Sequence, residues 1–501
     1  TLNKSAFALP LNTGRDPHRG DETMPPSKVQ RQAAINAALA VLPTERPELM
    51  AIGDSLFNGT RSLVTGRKDL TDNSVPVRVA RGLGLWPNRF VAPDYPQEVL
   101  IDLEAIVRAY GPLDLLRAPA QNFIRDAAHQ NATKWMGAGR QWSARACFDN
   151  VAIAGATTDD LLNANAASAW SAAQAAFTAM NAPNASTSAF VGAAAQFYFN
   201  INTAFLLNPR GLPELDALSQ IDLAIARKPK RLIVSIGHND GVFMRVLLGE
   251  SKNADSRRQI DALPAQAKRI AERLKELPDD THIYFNSLLK PSTVANLGPQ
   301  QDALMNPRLN NKPGSGKYFA PGYHSKLLGI VSFSKSAMEA FDHYIRDTNI
   351  AVKAAIENTL GNSAGRFHYL NLWDFSDGLD SKHRDIEWPV TVRQTNDKVV
   401  ELRNIPIGWT GNKVAGGLYG LDNMHPSGVG YQLMANHILR AIATTEGLSP
   451  PAHQADVQAA YAGDSLLTNV PRNWNRSFTG YRAAFSIAGA LGLFKEIMKR
   501  L

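Results

Sequence analysis

The sequence predicts a doubly wound parallel α/β sheet flanked by helices, and three observations carry that prediction. Five short apolar runs, near 49–52, 150–154, 232–236, 282–285 and 367–372, have the length and composition of buried strands. The segments between them place apolar residues at helical spacing, the alternation that builds a parallel sheet through crossover helices. The first three runs each end at a glycine followed by polar residues, the pattern of strand ends where such a sheet exposes reactive groups. Right-handed crossovers then bring all of these strand ends to one edge.

The 501 residues are 44% hydrophobic and 20% charged, ordinary globular material with ample substance for a large core. A prior of ~150 residues per domain would suggest about three domains. The motifs below run from Gly53 to His425, which argues instead for one elaborated domain. The expected division is an arm and helix over 1–45, a main domain over 46–445, and a helical appendage over 446–501. The main domain carries insertions at 60–145, 160–210, 291–330 and 376–420. A net charge of +8 and a pI near 9.4 are mildly basic, but the basic residues are dispersed and not interleaved with aromatics. They read as a solvated surface, not a nucleic-acid site. The densest run, Arg227-Lys228-Pro229-Lys230-Arg231, precedes a strand and so belongs at the opposite edge of the sheet. Cys147 is the only cysteine, which rules out an intramolecular disulfide. No apolar run approaches the ~18 residues of a membrane span. The chain begins at Thr1 without a methionine, as after cleavage or trimming of a leader; the compartment is left open, with export to the periplasm or outside the cell placed ahead of the cytoplasm.

In order, helical spacing is expected through Val29 to Val41, then the first strand, Leu49 to Ile52. Helices follow near Val77–Leu83, just after Pro76, and near Val99–Tyr110. After the second strand, Thr157-Thr158-Asp159-Asp160 reads as a helix start. Trp170, Ala173, Phe177 and Met180 recur at helical spacing, and Phe197-Tyr198-Phe199 follows. These aromatics read as the core of an insertion, ahead of the alternative of a wall receiving an acyl chain. Leu218, Ile221 and Ile225 mark a crossover helix; Leu263, Ala267, Ile270 and Leu274 mark another. Residues 291–330 read as a long loop, Ser336 and Glu339 as a capping pair, and 389–403 as a hairpin. Tyr431, Met434, Ile438 and Ile442 form a last amphipathic helix.

Four pieces sit at strand ends or before that helix: Gly53-Asp54-Ser55-Leu56, Gly155, Gly237-His238-Asn239-Asp240, and Asp422-Asn423-Met424-His425. A serine hydroxyl is a poor nucleophile until a base adjoins it and donors await the oxyanion. His425 can take the Ser55 proton, and Asp422, three residues earlier, can fix the histidine tautomer. Ser55 N–H, Gly155 N–H and the Asn239 amide are the candidate oxyanion donors. Asp54 and Asp240 read as shapers of their turns, and His238, His282 and His437 as structural.

At these residues the chain resembles the SGNH hydrolase superfamily, the GDSL esterases and lipases. Ser55, Gly155, Asn239 and His425 match its four residue types, and Asp422 its aspartate. The resemblance implies a flavodoxin-like sheet and ester hydrolysis through an acyl-enzyme, without metal or organic cofactor. It covers the strand-helix core and leaves the insertions and tail unexplained.

Competing motifs have the wrong context. Gly463-Asp464-Ser465-Leu466 repeats the serine tetrapeptide, but no strand precedes it and no histidine follows; it reads as a helix-to-loop boundary. Gly361-Asn362-Ser363-Ala364-Gly365 follows a helix and precedes a strand, the reverse of a nucleophile elbow. Gly314-Ser315-Gly316-Lys317 lacks the Ser or Thr of a phosphate loop. Two other classes stand as alternatives. Asp54, His238, Asp240, Asp422 and His425 could together hold a metal for hydrolysis, or the scaffold could be a silent binding protein. The expected substrate is a small-molecule, lipid or acylated-sugar ester, with carboxylic or lipid esters ahead of an O-acetylated acidic polysaccharide.

Overall fold

Strands β1 (Met50–Gly53), β2 (Arg231–Ser235), β3 (His282–Asn286) and β4 (Phe367–Leu370) form one parallel sheet in that spatial order. The computed structural model describes residues 26–471 and 474, apart from 100, 112–117, 183–185, 300–317, 320–321, 327–329, 384–388, 408–413 and 450–452. The expected arm over residues 1–25, the Gly314–Lys317 motif and the end of the appendage lie outside the described residues. The sheet is packed on both faces, so its strands are near-continuous apolar runs and not alternating ones. That is why they were visible in the sequence.

Residues 150–154 run parallel to β1 along its other edge without forming a regular strand. Ala51 N–H donates to Asp149 O at 2.7 Å, and Val151 and Ile153 N–H donate to Ala51 and Gly53 O at 3.0 Å. Two asparagines explain the irregularity. Asn150 Oδ1 accepts the Ala152 N–H at 3.2 Å, and Asn58 Nδ2 donates to the Ala152 carbonyl at 2.8 Å, so side chains replace ladder partners. The first connection thus leads to one side of β1 and the next returns to its other side as β2. The strand ends at this reversal form the crevice where open α/β sheets bind ligands.

The helices follow local rules. Ser27 and Gln30 make a capping box for Lys28–Ala38, Thr157 and Asp160 for Thr158–Asn163, and Ser219 and Asp222 for Gln220–Arg227. Gly428–Glu446 packs on Val75–Gly82, and Asn253–Leu274 on Lys335–Leu360. Three of the four cations of the basic run leading into β2 are paired: Lys230 with Glu48 at 2.7 Å, Arg231 Nε with Glu446 at 2.6 Å, and Arg227 with Asp149 at 3.6 Å.

Three expectations are corrected. Within 291–330, read as loop, Leu297–Pro299 pairs with Gly322–Ser325, which pairs in turn with the following strand Ile330–Ser334, in a small antiparallel sheet. Strands this short, with a register shift at Tyr323/His324, leave no visible alternation. Helix Lys335–Leu360 is capped by Ser334, whose Oγ accepts from Ala337 N–H at 3.2 Å, and not by Ser336. Ser334 is still extended at the end of its strand, so it reaches the cap geometry first. Finally, Ala189–Leu207 is one helix long and apolar enough to cross a membrane, although no such run was expected. Gln196, Asn200, Asn202 and Thr203 interrupt the run in sequence. The helix packs against Ala166–Met180, and most of it is buried inside the protein.

Candidate active site

β1 runs directly into the serine turn. A Cβ at Gly53, whose φ is +145°, would lie 2.0 Å from Ser235 O, so the chain passes β2 there only as glycine. Asp54 then caps a single helical turn, Ser55–Asn58, accepting the Leu56 N–H at 3.1 Å. Ser55 occupies the first helical position, where backbone N–H groups have no partner within the helix.

The loop before helix Gly428–Glu446 brings two more side chains to this turn. His425 Nε2 lies 3.0 Å from Ser55 Oγ, and His425 Nδ1 lies 2.7 Å from Asp422 Oδ2. Asn423 between them takes φ +60°, a left-handed conformation that asparagine tolerates. Asp422 Oδ1 accepts the Met424 and His425 N–H groups at 2.9 Å, and Oδ2 also accepts the Leu63 N–H at 2.9 Å. Burial pushes this carboxyl upward, but the neighbouring His425 and these donors outweigh it and hold Asp422 below the usual carboxylate range. A carboxylate only accepts, so the imidazole proton sits on Nδ1 and Nε2 is left to accept from the serine hydroxyl. Ser55, Asp422 and His425 are all fully buried.

Gly155 and Asn239 lie at the two neighbouring strand ends. Gly155 turns the chain with φ +89° at the end of the 150–154 segment. Asn239 Nδ2 donates one of its two N–H groups to Ala156 O at 2.9 Å, tying the two ends together. Asp240 adds a second tie, accepting from Thr158 N–H at 3.0 Å and Thr158 Oγ1 at 2.7 Å. Burial pushes the Asp240 carboxyl up to about 7 against the pull of these bonds. His238 Nε2 accepts the Leu289 N–H at 3.2 Å, which puts its proton on Nδ1, 3.4 Å from Asp54 Oδ2.

The five residues of the alternative metal cluster are therefore drawn into separate pairings. Among the described residues, no three His, Cys, Asp or Glu side chains gather in a metal-holding group. The aromatic residues of the insertions pack on one another: ring centroids are 5.6 Å apart for Trp142–Trp170, 6.2 Å for Phe177–Phe197 and 5.4 Å for Trp135–Phe205. The second Gly-Asp-Ser-Leu copy builds the same local structure as the first, with Asp464 capping Ser465–Thr468, but no strand leads into it and Ser465 is exposed. The tetrapeptide encodes a capped helical turn; the strand before it and the histidine opposite it distinguish the two copies.

Sequence reasoning missed two neighbours of the site. Leu63 contributes a backbone N–H, which no residue type announces. Phe243 stands edge-on to His425 with ring centroids 6.1 Å apart, and its only signal is its place shortly after Asn239.

A model of the family described as GDSL-like Lipase/Acylhydrolase matches residues 49–438. Neither the curated proteins nor the solved structures give a match.

Proposed function

Because the chain belongs to the GDSL-like Lipase/Acylhydrolase family, and so is a carboxylic ester hydrolase, we propose that it works through a covalent acyl-enzyme on Ser55. His425 Nε2 takes the proton as Ser55 Oγ attacks the ester carbonyl, and Asp422 holds the tautomer and stabilises the imidazolium. The alcohol leaves with that proton, and water then attacks the acyl-enzyme with His425 again as base. Ser55 N–H, Gly155 N–H and the second N–H of Asn239 are the proposed oxyanion donors. The observation that carries this reading is the unbroken chain Ser55 Oγ–His425–Asp422, at 3.0 and 2.7 Å.

Asn239→Ala should lower kcat by about 100- to 1,000-fold with KM little changed, the usual loss for one oxyanion donor. Steady-state kinetics at saturating ester check this, and an unchanged kcat would remove Asn239 from the oxyanion site.

A short acyl group is the favoured substrate feature, for the aromatics that could have lined an acyl chamber are packed into the insertion's own core. Behind the loop that carries His425, the cavity lined by Pro426, Leu418, Met434, Phe375, Thr293 and Asn404 holds only about 40 Å³, so a long chain finds no room on that side. Across p-nitrophenyl esters from acetyl to long acyl chains, kcat/KM should peak at the short end. A peak at long chains would mean that the covering structure opens into a lipid-binding chamber.

A further inference from the structure

The segment beyond residue 438 lies outside the family match, yet one of its side chains reaches the first residue of the helix that follows the His425 loop. Asp464 Oδ1 accepts the Leu466 and Leu467 N–H groups at 2.8 and 3.1 Å, and pairs with Arg61 Nη1 at 2.9 Å. Its Oδ2 accepts the Gly428 N–H at 2.7 Å, three residues after His425. A Cβ at 428 would stand 2.7 Å from that oxygen, so glycine is what admits the carboxylate. Arg61 turns the rest of its fork onto Glu104, Nε to Oε1 at 2.7 Å and Nη2 to Oε2 at 2.8 Å. Arg61, Glu104 and Asp464 are all buried.

Arg61 also opens a tight turn, closed by Arg61 N–H to Val64 O at 3.2 Å and Val64 N–H to Arg61 O at 2.8 Å. Its central residues, Ser62 and Leu63, have φ +54° and +62°. Such turns are normally built from Gly, Asn or Asp, and a bulky leucine in this region is an outlier. Strained backbone of this kind persists where its surroundings over-determine it. Here they do: Ser62 Oγ donates to Glu104 Oε1 at 3.0 Å and accepts the Leu421 N–H at 2.9 Å. The product of the turn is the Leu63 N–H on Asp422 Oδ2, the same oxygen that faces His425 Nδ1.

We propose that Asp464 is a positioning residue for ester hydrolysis. It holds Arg61 and the start of the helix that follows His425 in one frame, so that the 61–64 turn presents its N–H to Asp422. The inference rests on the Ser55–His425–Asp422 reading above. It gives the C-terminal segment a part in turnover and explains why Gly-Asp-Ser-Leu occurs twice: the second copy supplies its aspartate, not its serine.

The test compares Asp464→Asn and Arg61→Lys with Ser55→Ala in the full chain on p-nitrophenyl acetate, with circular dichroism and Tm to check folding. Asp464→Asn keeps the Oδ1 acceptor for Leu466, Leu467 and Arg61, but it removes the charge that strengthens the Arg61 pair and turns an NH2 toward the Gly428 N–H, so the tie to the helix start is lost. In folded variants kcat should fall about 10- to 100-fold at nearly constant KM, the scale of a small misplacement in a site. The pH profile of kcat/KM should shift as well, because Asp422 meets His425 differently; Ser465→Ala should change neither. Folded variants with wild-type kcat, or with a lower kcat and an unmoved pH profile, would overturn the proposal. Unfolding of both variants would also overturn it, by assigning the cluster to stability alone. An active Ser55→Ala enzyme would instead remove the reading on which it stands.

Discussion

Ser55→Ala should reduce ester hydrolysis by about 10,000-fold or more while the protein stays folded. The size follows from the mechanism: without Oγ there is no acyl-enzyme, and only binding and the oxyanion donors remain to act on water. The structural change is small. One hydroxyl is lost from a capped helical turn whose other bonds, Asp54 to Leu56 N–H and Asn58 N–H to Asp54 O, do not involve it. His425 Nε2 loses its partner at 3.0 Å, which should lower stability by no more than about 1–3 kcal/mol. Initial rates on p-nitrophenyl acetate, together with thermal unfolding, separate the two effects. A variant that retains a tenth of wild-type turnover would reject Ser55 as the nucleophile.

Asp422→Asn should come next in size, at about 10,000-fold in kcat. Its cause is a proton in the wrong place. Both carboxylate oxygens of Asp422 face donors, Met424 and His425 N–H on one side, Leu63 N–H and His425 Nδ1 on the other. An amide cannot accept on both sides. If its oxygen serves the two loop N–H groups, its NH2 meets Leu63 and His425. The histidine then relieves the clash by accepting at Nδ1 and carrying its proton on Nε2, toward Ser55. A base already protonated there cannot take the serine proton. Because this defect acts on the chemical step, KM should stay near the wild-type value. A loss of less than about tenfold would mean that Asp422 shapes the loop without setting the tautomer.

The parts of this site that were legible in the sequence are those expressed in residue type. Ser55 after a strand, His425 before a helix and Asp422 three residues ahead of it each carry their chemistry in a side chain at a readable position. The strands were legible for a related reason: a parallel sheet covered on both faces needs continuous apolar runs. Elsewhere the decisive partners are distant or belong to the backbone. Residues 150–154 look like a regular strand until Asn150 and Asn58 take the Ala152 backbone groups. The Leu63 N–H has no sequence signature, and Ser62-Leu63 runs against the turn chemistry that would have revealed it. Asp464 is readable as a cap, but its reach to Arg61 and Gly428 depends on contacts that only the folded chain makes.

The most direct measurement of the central claim is to trap the nucleophile. The wild-type enzyme is treated with a fluorophosphonate, its activity is followed to completion, and the modified peptide is located by mass spectrometry. One phosphonyl group on Ser55, formed in step with loss of activity and absent from Asp422→Asn on the same timescale, is the predicted result. Inactivation with the label on Ser465 or any other residue, or full activity with Ser55 labelled, would contradict it.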